Sequence, residues 1–309
     1  MPEILPIGGG KGGVGKSFIS ANLGALIAKR GKRVVLVDLD LGASNLHTFL
    51  GITNPKSGLN SFLNKKASRL EGVALPTHHS NLSFISSVNC SMEIANLYHA
   101  QKTKLLTAIN KLPHDYILLD LGAGTNFNTL DFFLTSDNGI VVCTPDPTSI
   151  ENAFRFIKAA YLRRLKQIIK VNSFNEMVKD SVLEPGRKSM ASNDIIEIVL
   201  KYDPEKEPFL RKSISHFQFQ FILNQFRKNS DATLGEKLKI VCNRHFYSQF
   251  DFLGNIRFDE RVPDSILNKT LFSREHPDAA ASADLNLIAE RLAQKRPIGH
   301  VTSSYHERI

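Results

Sequence analysis

A chain of 309 residues with an apolar fraction of 42% can bury a sizeable core, as one large α/β domain or two small ones. Cys90, Cys143 and Cys242 stand far apart with no C-x-x-C pair, so neither a disulfide framework nor a cysteine metal site is indicated, and buried thiols in a reducing compartment are expected. The formal charge of +9 suits nucleic acid or an anionic membrane surface without establishing either. No apolar run reaches the roughly 18 residues that span a bilayer, and Met1 leads almost directly into the first strand, so a cytoplasmic protein is expected.

Ile4-Leu5-Pro6-Ile7 reads as a strand, and a helical pattern runs from Ile19 to Lys29. Between them, Gly10 to Ser17 fits G-x-x-x-x-G-K-[ST], the loop whose backbone N–H groups cradle nucleotide phosphates. Gly10, Gly12, Gly13 and Gly15 let the backbone wrap the phosphates around Val14 without a side-chain clash. The following helix N-terminus adds unpaired donors and a positive dipole end. Lys16 would neutralise the β- and γ-phosphates, and the Ser17 hydroxyl would ligate Mg²⁺. A glycine-rich turn that matches by chance is the bland alternative; the flanking strand and helix argue against it.

A second lysine, Lys11, directly follows Gly10, and Lys11-Gly12-Gly13-Val14-Gly15-Lys16-Ser17 resembles the deviant Walker A box of the MinD/ParA ATPases. The resemblance implies ATP or ADP with Mg²⁺ on residues 10–18, and it implies that Lys11 crosses a dimer interface to the partner's nucleotide. Phe18 departs from the family, where a second hydroxyl residue commonly reaches the α-phosphate, so affinity here would rest on backbone donors.

Gly31-Lys32 is a turn, and Arg33 to Asp38 is a fully apolar strand of the kind a parallel sheet covered on both faces requires. Asp38-Leu39-Asp40 at its end resembles the family's switch I, which implies Asp38 near the Mg²⁺ shell and Asp40 orienting the attacking water. Residues 52–80 read as a surface excursion with a short helix near Leu59–Leu63. Asn81 to Ser86 is a strand and Ile94 to Leu112 a covering helix. Asp115 to Asp120 is another buried strand, and Asp120-Leu121-Gly122-Ala123-Gly124 resembles switch II, with Asp120 as the carboxylate that supports Mg²⁺.

Asn138 to Pro145 is the next strand, and the helix after it is expected to be N-capped by Thr148 or Ser149. Pro147-Thr148-Ser149 looks more like the FlhG (FleN, YlxH) branch than cell-division MinD. That helix carries Arg155, Lys158, Arg163, Arg164, Lys166 and Lys170, either a solvated face or a contact for DNA phosphate or an acidic partner. Residues 171–216 read as an insertion with one short helix at about 195–202. Phe217 to Gln225 returns to the sheet and resembles the family strand ending in asparagine, which implies that Asn224 reads the adenine edge. A helix over Gly235–Phe246, a strand over Asp251–Asp259 and helices over Val262–Leu267 and Asp278–Gln294 complete the domain.

The expectation is one P-loop domain, residues 1–296, with a doubly wound, mostly parallel sheet flanked by helices and interrupted at about 171–216, then a polar tail, 297–309, without a membrane-targeting helix. The resemblance implies a slow, partner-stimulated ATPase in which Lys11, Lys16 and Asp40 are catalytic, Ser17, Asp38 and Asp120 hold the metal, and ATP favours a homodimer. Its output would be FlhG-like spatial placement with an unidentified activator protein; the alternative is a ParA-type partitioning ATPase on nonspecific DNA. An iron–sulfur carrier is disfavoured by the missing paired cysteines, and a tyrosine-kinase domain by the missing tyrosine cluster.

Overall fold

The computed structural model describes residues 2–88, 90, 97–169, 204–246 and 248–294. Its sheet has eight strands in the order β3-β4-β2-β5-β1-β6-β7-β8. The strands are β1 (Glu3–Gly8), β2 (Val34–Leu39), β3 (Leu75–Pro76), β4 (Leu82–Ile85), β5 (Tyr116–Leu121), β6 (Asn138–Cys143), β7 (Gln218–Phe226) and β8 (Gln249–Arg257). Seven run parallel, and the two-residue β3 is antiparallel to β4.

The alternation of side chains divides the core into two layers. Leu5 and Ile7 of β1 and Val34 and Leu36 of β2 face α1 (Lys16–Lys29) and the helix Ala280–Gln294. Ile4, Val35 and Val37 face the opposite layer. Helix α2 (Leu46–Phe49) packs on the α1 side through Leu46 and Phe49, and the opposite layer is built from α3 (Leu59–Leu63), α4 (His99–Ile109), α5 (Phe127–Phe133), α6 (Pro147–Ile169), α7 (Glu207–Ser215) and α8 (Leu234–His245). The remaining helices are α9 (Val262–Leu267), α10 (Phe272–Glu275) and α11 (Ala280–Gln294). Helix α1 is buried nearly all round, through Ile19, Ala21, Leu23 and Ile27 among others. It ends at Arg30, whose amide donates to the Ile27 carbonyl, and Gly31 then takes a left-handed φ of 82°.

The doubly wound, mostly parallel sheet agrees with the sequence reading. Among the described residues four helices were not anticipated. Helix α7 lies inside the segment read as an insertion, where Asp203-Pro204-Glu205 looked like loop; Pro208, its second residue, is tolerated because a first-turn residue needs no amide bond. Helices α2, α5 and α10 are short and follow loops, so their periodicity is brief. The helix expected at about 195–202 lies outside the described residues. Among the described residues no helix is long and apolar enough to cross a membrane.

Candidate nucleotide site

The loop from Gly9 to Lys16 joins β1 to α1 at the C-terminal edge of the sheet, between β5 and β6. Three glycines cannot be replaced without moving their surroundings, the first being Gly9, whose Cβ would lie 2.7 Å from the Val142 carbonyl oxygen. A Cβ on Gly10 would sit 2.0 Å from the Asn152 carbonyl oxygen in α6, so that helix abuts the loop. Gly15 holds φ at 93°, and a Cβ there would lie 2.2 Å from Nδ2 of Asn224. The Asn224 amide donates 2.9 Å to the Val14 carbonyl, and Gln225 reaches the Gly13 carbonyl at 3.3 Å, so the end of β7 clamps the loop from below. Helix α1 has no acidic residue in its first turn and no side-chain cap, which leaves its first amides for an anion. Val14 and Phe18 are buried; the Phe18 ring packs edge-on against Phe272, 5.9 Å between centroids, so only its backbone is on offer to a ligand.

Beside the loop lie three carboxylates. Asp38 and Asp120 are register partners on neighbouring strands, and both are almost fully buried. Burial pushes both carboxyls well above the ordinary carboxylate range, and the Asp38 charge raises Asp120 further. Hydrogen bonds offset part of this. Ser44 Oγ donates to Asp38 at 2.6 Å, the Asp40 amide donates to the same carboxylate at 3.0 Å, and Ser20 Oγ donates to Asp120 at 3.0 Å. Ser17 also lowers Asp120 through a side-chain hydrogen bond. Lys16 is buried, which lowers its pKa, while Asp120 and then Asp40 favour its charge. Asp40 accepts from the Ala43 amide at 3.2 Å, and Gly122 approaches so closely that a Cβ there would lie 3.1 Å from its carboxylate. The Gly124 amide donates to the Gly9 carbonyl, tying the loop after β5 to the phosphate loop.

Two buried carboxylates side by side on adjacent strands, with a single buried lysine beside Asp120, leave negative charge that a divalent cation would offset, so Ser17, Asp38 and Asp120 fit Mg²⁺. Among the described residues no three His, Cys, Asp or Glu side chains gather as a self-contained metal cage. A cation here would share its shell with phosphate oxygens.

Lys11 lies apart from this centre. Its ammonium donates 3.1 Å to Thr148 Oγ1 and stands 3.5 Å from Asp146 Oδ1. Asp146 also accepts from the Thr148 hydroxyl at 2.6 Å and from the Ser149 amide at 2.8 Å. Asp146, rather than Thr148 or Ser149, therefore caps α6, with Pro147 as the first helical residue. A hydrogen bond from the Thr144 hydroxyl, together with those from Thr148 and the Ser149 amide, holds the Asp146 carboxyl well below the usual range. The sequence reading missed Ser20 and Ser44 as donors and Asp146 as the holder of Lys11. Ser20, a second hydroxyl one turn along from Lys16 in an otherwise apolar stretch of helix, was the available signal.

The basic face of α6 is largely committed within the chain. Arg163 forms a bidentate pair with buried Asp131, which also pairs with Lys102. Arg164 pairs with Asp137 and lies over the Phe217 ring, and Arg155 pairs with Glu151.

Residues 5–272 match the family model described as the CobQ/CobB/MinD/ParA nucleotide binding domain. The septum site-determining protein MinD of Helicobacter pylori is 32% identical over 158 residues, 51% of this chain and 58% of that protein. The flagellum site-determining protein YlxH of Helicobacter pylori is 30% identical over 223 residues, 65% of this chain and 68% of that protein. The chain thus spans between about half and two thirds of the curated relatives' length. Among solved structures, the septum site-determining protein MinD complexed with Mg-ADP from Pyrococcus horikoshii shares the fold with a TM-score of 0.63 at 20% identity, over 95% of this chain and 97% of that one.

Proposed function

Because the chain belongs to the CobQ/CobB/MinD/ParA nucleotide-binding family, we propose that it is an ATP-dependent dimerising switch that hydrolyses ATP slowly to ADP and phosphate. The observation that carries this reading is the contrast between its two loop lysines: Lys16 is buried beside Asp120 and Asp40, whereas Lys11 is exposed and held by a surface contact with Asp146 and Thr148. Amides of residues 10–18 bind the phosphates, Asn224 fixes the loop through the Val14 carbonyl and would read the adenine edge, and Lys16 offsets charge on the transferred group. Mg²⁺, when bound through Ser17, Asp38 and Asp120, would supply further positive charge to the phosphates. Asp40 orients the attacking water and accepts its proton. Lys11 leaves Asp146 when a second copy presents its nucleotide, and loses that partner after hydrolysis.

The finer reading is placement of a cellular structure, in the manner of FlhG proteins, with an unidentified activator and a cytoplasmic site of action. The YlxH relative and the Pro147-Thr148-Ser149 opening of α6 support it. DNA partitioning through α6 is the weaker reading, since Arg155, Arg163 and Arg164 are already paired.

Solution mass tests the switch. A monomer with ADP, a dimer with ATP, and a monomer with ATP in Lys11→Ala are expected; a mass indifferent to nucleotide and to Lys11 overturns it.

A further inference from the structure

Among the described residues, Asn54, Lys65, Asn81, Gln225 and Lys269 are the non-glycine positions with positive φ. Gln225 alone of these lies within a strand, at φ 55° near the end of β7. A short asparagine side chain eases this conformation by bonding locally, whereas glutamine carries the steric cost in full. Strain of this kind persists where its surroundings enforce it, and it gathers at sites that use it.

Here the strain redirects a side chain. Leu223 pairs with Asn255 and Phe226 with Arg257, so a bulge inserts one extra residue into β7 at this point. In a regular strand Asn224 and Gln225 would point to opposite faces. With the bulge, both reach the phosphate loop. Asn224 Nδ2 donates 2.9 Å to the Val14 carbonyl, and Gln225 Nε2 donates 3.3 Å to the Gly13 carbonyl. Among the described residues every peptide bond is trans, so each carbonyl points away from the amide of the next residue. Holding the Gly13 and Val14 carbonyls toward β7 therefore turns the Val14 and Gly15 amides the other way, into the concave side of the loop. Neither amide has a protein acceptor among the described residues. Left-handed Gly13 and Gly15, at φ 77° and 93°, flank Val14, a backbone pattern that lets successive amides converge on one anion.

We propose that Gln225 is a positioning residue for the phosphate loop: by holding the Gly13 carbonyl it aims the Val14 amide at a phosphate of the nucleotide. The proposal rests on the nucleotide reading above and names a group outside the loop that shapes it before ligand arrives. An amide already aimed needs no reorganisation when the anion enters, so the bond acts through affinity.

The test is calorimetry on the full-length protein with ADP and, separately, with inorganic pyrophosphate. Gln225→Gly removes the side chain and relieves the left-handed backbone, whereas Gln225→Met keeps the length and the strain but has no donor. Both should weaken ADP binding about three- to tenfold. Pyrophosphate should weaken by the same factor, because the contact acts on the phosphates and not on the base. In steady-state hydrolysis the KM for ATP should rise by more than kcat falls. The melting temperature of nucleotide-free Gln225→Gly protein should stay within about 2 °C of wild type, since the lost bond and the relieved strain oppose each other. Wild-type affinity in both variants, weakening of ADP with pyrophosphate unaltered, or a larger fall in melting temperature alongside the weakening would overturn the proposal while leaving the nucleotide reading in place. A wild-type protein that binds no ADP would overturn that reading, and this proposal with it.

Discussion

Replacing Ser20 by alanine tests the metal-side reading most directly. Its hydroxyl is fully buried and has one proton, shared between Asp120 Oδ1 at 3.0 Å and the Lys16 carbonyl at 2.9 Å. A hydrogen bond to a carboxylate contributes about 1.5–3 kcal/mol, and a shared proton argues for the lower end. About 1.5 kcal/mol corresponds to roughly a tenfold change in an equilibrium constant. Removing the donor raises an already elevated Asp120 pKa, so the carboxylate is harder to ionise and Mg²⁺ binds more weakly. The assay is binding of a fluorescent ADP analogue with and without Mg²⁺. Ser20→Ala should lower the enhancement by Mg²⁺ roughly tenfold, leave metal-free binding nearly unchanged, and move the pH midpoint of the enhancement upward. An unaltered enhancement in a variant with an unaltered melting temperature would refute the reasoning.

The contact of Lys11 with Asp146 is exposed on both sides, 44% each, so it contributes at most about 1 kcal/mol. Asp146→Ala should therefore strengthen ATP-dependent dimerisation by a few fold at most, read by light scattering against concentration, at some expense to α6, which loses its cap. Gly10→Ala places a methyl group against the Asn152 carbonyl, so nucleotide binding by calorimetry should fall more than about tenfold while the sheet survives by circular dichroism. Asp131→Ala strands Lys102 and Arg163 without their shared carboxylate and should cost about 3–5 kcal/mol in urea unfolding. The raised pKa values of Asp38 and Asp120 mean that the nucleotide-free fold gives up stability as pH climbs from the unfolded carboxylate value near 4 through the folded ones. The gain in melting temperature on adding Mg²⁺ and ADP should accordingly be larger at about pH 8 than at about pH 5; an equal gain would remove the carboxylates from the metal site.

The phosphate loop was legible in the sequence because a backbone that wraps phosphates demands glycine, lysine and serine at fixed separations, and no tertiary information is needed to see them. The strands were legible because burial on both faces leaves continuous apolar runs. What escaped depended on residues far apart in the chain. The partner of Lys11 is 137 residues away, and the acids that occupy Arg163 and Arg164 belong to α5 and the turn before β6, so α6 read as an open basic face.

Lys11 and Lys16 are five residues apart on one loop, yet their environments give them unequal mobility. Moving the Lys16 ammonium would separate it from Asp120 and Asp40 inside a buried site, where an unpaired charge costs several kcal/mol. Moving Lys11 breaks only solvent-exposed bonds to Thr148 and Asp146, which water can replace. The loop thus has one arm fixed on the phosphates it binds and one that can change partners for about 1 kcal/mol or less. In the proposed switch, a nucleotide presented by a second copy would need only a modest advantage to draw Lys11 away, and its loss on hydrolysis would need only the same modest change to send Lys11 back.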